Sequence, residues 1–251
     1  MLYFRIIIDT MLCSAKNVIL TFSLMVQLAL FSLFPISSLT AAERPIFDGE
    51  TLNGWTFNNG RPITHGWEVK DGMIHLVPSQ KDSNELRAGN ILTVTEYQNF
   101  DLSFEWKISE GGNSGLKYRV RDYDGGTYGI EYQICDDVSY PKQLTPRTST
   151  GALYDLYEPN QEKHLMPVGQ FNKSRIVVED KRIQHWLNGR LIVQATVGSS
   201  EWNNRLSCSK FADVKEFGQN PKGRIMLTDH GSEVWYRNFK LVESSSDPEL
   251  P

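Results

Sequence analysis

The chain has 251 residues, a formal net charge of -4, 40% hydrophobic residues and 22% charged residues. That is globular composition, neither disordered nor fibrous, and the length suffices for one large all-β domain with a sizeable core. Mild acidity argues against a nucleic-acid surface, which needs clustered Lys and Arg.

The first 42 residues differ from the rest. Lys16 precedes the apolar run Val18 to Phe34, and a small-residue stretch follows to Ala42. A basic start, an apolar middle and small residues at the end predict a secretory signal peptide over residues 1–42, cut after Ala41 or Ala42. Met11 is an alternative start, and a retained membrane anchor is the competing reading. The expected location is therefore periplasmic or extracellular. Beyond the leader only Cys135 and Cys208 remain; in an oxidising compartment they either pair or stay as free, buried thiols.

From residue 43 to 243 the chain runs as short alternating segments broken by Gly, Asn and Asp, the pattern of an all-β domain. Trp67 to Lys70, Asp71-Gly72 and Met73 to Leu76 predict a hairpin with a tight turn. Asp101 to Ile108 places Leu102, Phe104, Trp106 and Ile108 on one side, against Ser103, Glu105 and Lys107. Gly115 to Val120 sets Leu116, Tyr118 and Val120 against Lys117 and Arg119. Tyr128 to Ile134 sets Tyr128, Ile130, Tyr132 and Ile134 against Glu131 and Gln133. Residues 136–165 form a long connection of the kind that is usually functional. Further strands are expected at 174–179, 182–187, 191–195, 223–227 and 234–242, and Asn188-Gly189 makes another tight turn. Residues 201–217 break the β pattern and predict a short helix. The polar tail, residues 244–251, is expected to fray. Many short strands with one helix point to a two-sheet, antiparallel jelly-roll sandwich of a single domain.

Residues two apart in a strand share a face. Three neighbouring runs thus carry Glu105 and Lys107, Lys117 and Arg119, and Glu131 and Gln133 on their non-core sides. A solvated sheet face would look the same. The glycines around Asn113, however, allow close approach of a ligand, and mixed carboxylate and cationic groups suit a polar ligand. Asp229-His230 at a strand end adds a group suited to proton transfer, with Asp229 placed to orient it. His185 phases with the core and reads as a satisfied buried histidine; His65, His75 and His164 show no partner spacing. No nucleophile elbow, zinc motif or phosphate loop is present. Asp136-Asp137 offers a candidate Ca²⁺ ligand pair, although two adjacent Asp residues are more often simply a loop.

Several strings together resemble the 3-keto-disaccharide hydrolase family, also described as 3-keto-glucoside lyases and hydratases. They are Phe47-Asp48-Gly49, Leu52-Asn53-Gly54-Trp55, Gly111 to Gly115 and Tyr128 to Ile134. Thr150 to Tyr154, His185 to Gly189, Ser209-Lys210-Phe211 and Asp229-His230-Gly231 follow in the same order. The resemblance spans Pro45 to Val242 and implies a concanavalin-like jelly roll that cleaves 3-keto-glycosides. Lys117 departs from the family pattern, where an apolar residue is commoner, as does Phe171-Asn172 in place of Trp-Asn.

A C3 ketone acidifies the C2 proton. Its removal gives an enediolate that expels the group at C1, and water adding back makes the net result hydrolysis. Such chemistry needs a base, groups for the oxyanion and an acid. The candidate base is His230 or Glu131, the acid Glu105 or Glu131, and the oxyanion group Arg119, aided by Lys117 or Lys210. Asn113, Gln133 and Tyr154 are expected to hold sugar hydroxyls, with Asp229 beside them. No metal ligands are assigned, and a divalent cation remains open as a substitute for part of the cationic role. The partner is a small 3-keto sugar. The rivals are a non-catalytic carbohydrate-binding module, since jelly rolls host both, and a conventional two-carboxylate glycosidase.

Overall fold

The computed structural model describes residues 43–78 and 88–244; the expected signal peptide and all of the tail but Ser244 lie outside the described residues. Among these residues thirteen strands form two antiparallel sheets. They are β1 (Glu43–Arg44), β2 (Trp55–Phe57), β3 (Trp67–Lys70), β4 (Met73–Leu76), β5 (Ile91–Tyr97), β6 (Phe100–Ile108) and β7 (Asn113–Tyr123). The rest are β8 (Gly126–Cys135), β9 (Asn172–Glu179), β10 (Arg182–Leu187), β11 (Arg190–Thr196), β12 (Gly223–Leu227) and β13 (Val234–Glu243). The larger sheet has the order β11-β10-β9-β6-β13-β4-β3, with β1 on β13; the smaller has β2-β5-β12-β7-β8. This is the sandwich expected from the alternation. The alternation did not reveal β1, β2 or β5; β1 and β2 are only two and three residues long.

Alternation builds the core. Leu102, Phe104, Trp106 and Ile108 of β6 are all buried and face Leu116, Tyr118, Ile130, Tyr132 and Ile134 of the smaller sheet. Each such side chain contributes roughly 1.5–3 kcal/mol through burial. Most polar side-chain atoms inside are paired, as low-dielectric surroundings require; Arg119 Nε, Arg121 Nε, the Tyr157 hydroxyl and Trp202 Nε1 are the exceptions among the described residues. His185 is fully buried; its Nδ1 donates to Gly151 O at 3.0 Å, so its Nε2 accepts from the Tyr118 hydroxyl at 2.9 Å. Burial pushes its pKa down to about 4, which keeps it neutral. His75, which lacked a partner by spacing, lies between Glu68 (2.9 Å) and Glu233 (2.8 Å) and stacks on Trp235. These partners come from β3 and from the residue before β13, so spacing along the chain does not reveal them.

The tight turns form as expected. Asp71-Gly72 and Asn188-Gly189 have positive φ at both positions, as a type I′ turn demands. The helical segment is α1 (Ser200–Ser207), capped by the Ser199 hydroxyl accepting from Trp202 N and anchored by the buried Trp202. Residues 208–217 continue as turns. Cys135 is buried and Cys208 exposed, and both are free thiols, which excludes their pairing.

One irregularity moves a predicted site residue. Arg119 has φ +52, and the β7–β8 register shifts between Tyr118 and Arg121. Arg119 and Val120 thus stand together opposite Gly129, a β-bulge. A Cβ on Gly129 would lie 2.6 Å from Val120 Cγ2, so glycine makes room for the bulge. The extra residue inverts the alternation. Val120 joins Leu92 and Met226 in a small apolar cluster apart from the core, and Arg119 turns inward.

Candidate active site on the outer face of the smaller sheet

Glu131 faces away from the core yet is only 4% exposed. A solvated sheet face would not bury a carboxylate, so this face is covered and polar. Lys117 lies directly opposite on β7, and its Nζ is 3.7 Å from Glu131 Oε2. Gly115, two residues before Lys117, leaves the space that Glu131 occupies. A Cβ there would stand 2.4 Å from Glu131 Oε1. The carboxylate therefore lies flat over the β7 backbone, with an ammonium beside it.

The end of β12 brings in His230. Thr228 N and Oγ1 both donate to Gly115 O, at 3.0 and 3.3 Å, which pins the following turn to β7. Asp229 then holds the turn: its Oδ2 accepts from Gly89 N at 2.8 Å and its Oδ1 from Gly231 N at 2.7 Å. With both oxygens engaged by backbone, Asp229 shapes the turn that carries His230. His230 is exposed at the rim. The surrounding protein still lowers its pKa through desolvation, against the opposing pull of Glu131; Lys117 and Lys210 lower it further. The imidazole is thus neutral near pH 7.

The long connection supplies the other wall. Tyr154 N donates to Glu131 O at 3.0 Å, setting residue 154 beside the carboxylate. Burial raises the Tyr154 phenol, and the Glu131 charge adds to that. Lys210 Nζ lies 4.1 Å from the centre of the Tyr154 ring and 4.9 Å from that of Phe211. The Lys210 backbone N–H donates to Asp155 Oδ2 at 2.7 Å, which ties the turn after α1 to this wall. Further along β8, Gln133 Nε2 donates to Asn113 Oδ1 at 3.3 Å, and Asn113 Nδ2 to the Tyr140 hydroxyl at 3.2 Å. Asn113, Lys117, Glu131, Gln133, Tyr154, Lys210 and His230 therefore lie on one side of the smaller sheet; for Lys117, Glu131 and Gln133 this is the non-core side given by the alternation. Tyr140 and Asp155 were not singled out as site residues. Both sit in the long connection, where contacts depend on how the loop folds back.

Two expected catalytic residues are elsewhere. Arg119, turned inward by the bulge, donates to the carbonyls of Gly218 and Asp180 and lines a cavity with Asn99 and Lys181. Glu105 lies on the outer face of the larger sheet, across the sandwich from Glu131. There it accepts from Arg237 Nε at 2.8 Å. Strict alternation suggested that Glu105 and Glu131 share a polar face, but their strands belong to different sheets.

Among the described residues a divalent cation does not fit this donor set: Glu131 and His230 stand beside two ammonium groups, which repel a cation, and Asp155 accepts from the Lys210 backbone. Asp136 and Asp137 do not offer an alternative. Asp136 accepts from the backbone of Gly111, Val138 and Ser139, and Asp137 from Thr150 N and Lys163 Nζ.

Residues 42–242 match the family described as the 3-keto-alpha-glucoside-1,2-lyase-like domain. The chain belongs to that family. A relative named 3-keto-disaccharide hydrolase, from Bacteroides thetaiotaomicron, is 28% identical over 222 residues, 78% of this chain and 76% of the relative. A crystal structure from Parabacteroides distasonis, provisionally named a glycosyl hydrolase, superposes with a TM-score of 0.73 at 31% identity. It covers 82% of this chain and 95% of its own. A second structure from that organism, similarly named, gives 0.61 at 25% identity, covering 81% and 100%.

Proposed function

We propose that this member of the family cleaves 3-keto-glycosides by elimination across C1 and C2. The observation that carries the proposal is the buried Glu131–Lys117 pair with His230 beside it, on a face where jelly-roll packing alone needs no charge. His230, neutral near pH 7, takes the C2 proton. Glu131 faces the imidazolium as it forms and steadies it. The Lys117 ammonium lies next to the charge that develops on the C3 oxygen. The imidazolium then passes its proton to the oxygen leaving C1, and water adding to the resulting glucal gives net hydrolysis. Asn113 and Gln133 bind hydroxyls from the Cys135 end of β8.

Two features favour this over a binding module. Trp106, Tyr118 and Tyr132 turn inward, and the titratable groups converge on a covered face. A conventional glycosidase needs two carboxyl groups across the scissile bond, and the second candidate, Glu105, lies on the other sheet. A substrate deuterated at C2 tests the mechanism. A primary isotope effect on release of the C1 group, together with loss of turnover in His230→Gln, is the expected result. No isotope effect, with chemistry rate-limiting, contradicts C2 abstraction.

A further inference from the structure

The site holds two lysines where stabilising one oxyanion needs a single cation, and their surroundings differ. Lys117 Nζ is 3.7 Å from the Glu131 carboxylate and is ion-paired with it. Among the described residues, no carboxylate lies within ion-pair distance of Lys210 Nζ. That nitrogen sits over the Tyr154 ring, with the Lys210 backbone held by Asp155. Tyr154 N in turn donates to Glu131 O at 3.0 Å, which places Lys210 on the wall beside the strand that carries Glu131. An amine that is positioned but not ion-paired is what a carbonyl substrate requires of a covalent catalyst.

We propose that Lys210 is a covalent catalytic residue that forms a Schiff base with the C3 ketone. The inference rests on the ketone-dependent reading above. Lys210 first releases a proton to solvent. Its nitrogen then bonds to C3, a proton returns from solvent to the former carbonyl oxygen, and that oxygen leaves as water, giving a protonated iminium. The iminium draws electrons from C2 more strongly than the ketone does. His230 removes the C2 proton and the C–H pair becomes an enamine, which expels the C1 group; that group takes the proton from His230. Water then hydrolyses the C3–N bond, restoring the ketone and the amine. No oxidant or reductant enters, so the step balances with the residues present. The Lys210 side chain is exposed, yet the protein around it lowers its pKa through desolvation, against the pull of Glu131, and the Lys117 charge lowers it further.

The test is reductive trapping. Wild type and Lys210→Arg are incubated with 3-keto-glucose and sodium cyanoborohydride, and the products are read by intact mass and peptide mapping. Turnover of a 3-keto-glucoside is measured in parallel. The expected result is one sugar-sized adduct on the peptide bearing Lys210 in wild type. The Arg variant, which keeps the charge and lacks the amine chemistry, should show no such adduct, with kcat lower by about 100-fold. Turnover without an adduct at Lys210, adducts spread equally over lysines in both proteins, or wild-type kcat in Lys210→Arg would overturn the Schiff base while leaving ketone-dependent cleavage intact. Failure of wild type to turn over any 3-keto-glucoside would overturn both.

Discussion

Glu131 and Arg119 are the residues whose environments most separate a catalytic from a structural role. Glu131 is buried against Gly115 and paired with Lys117, and nothing in the packing of a sandwich calls for a carboxylate there. Glu131→Gln should therefore lower kcat by about 10²–10⁴-fold, the range for loss of a group acting on proton transfer, while the thermal midpoint changes little. Arg119 is the opposite case. Its guanidinium caps backbone carbonyls beside the bulge, so Arg119→Met should lower the melting temperature and leave kcat and KM of the folded protein near wild type. Glu105→Gln should likewise leave turnover unchanged and alter stability by less than about 1 kcal/mol, because it breaks only a partly exposed ion pair. The His230 pKa is lowered, so the imidazole stays unprotonated to more acid pH than free histidine. The acid limb of kcat/KM should accordingly fall below the ordinary histidine value of about 6.5; a limb at or above that value would remove His230 as the base.

At the level of strands and turns, period-two alternation made the core legible. It placed Phe104, Trp106, Tyr118, Tyr132 and His185 inward correctly, and it placed Lys117, Glu131 and Gln133 outward. It failed at Arg119, because a bulge adds a residue without leaving a distinctive mark in the sequence; only Gly129 opposite hints at it. It also could not assign strands to sheets, so Glu105 looked like a neighbour of Glu131. Gly115→Ala would push a methyl group into Glu131. It should reduce activity toward that of Glu131→Gln and cost about 1–3 kcal/mol in stability from overpacking. His185 gives the strand layers a pH dependence. Its folded pKa of about 4 lies below the unfolded value of 6.5, so the unfolded chain takes up the proton first as pH falls. The stabilisation is present above pH 6.5 and is lost between 6.5 and about 4. At about 1.4 kcal/mol per pKa unit, the loss is roughly 3 kcal/mol. Unfolding free energies measured across that range should show this slope, and His185→Gln should flatten it.

For the molecule as a whole, the division of labour is between two sheets. The larger sheet carries charged and aromatic side chains on its outer face that pair with one another, as Lys107 does with Trp235 and Arg237 with Phe171. The smaller sheet carries the covered polar face, closed by the long connection and the turn after α1. The family resemblance was carried by strings scattered from residue 47 to residue 231, and the fold gathers many of them around one face. The resemblance could not reveal that Arg119 points inward, because the strings give residue order and not side-chain direction. The central claim is that cleavage depends on a C3 ketone. It is tested most directly by release of nitrophenol from 4-nitrophenyl glucoside and from its 3-keto derivative, using the same purified protein. Release from the keto compound alone is the predicted result. Release from both would mark a conventional glycosidase, and release from neither would mark a binding protein; either would contradict the account.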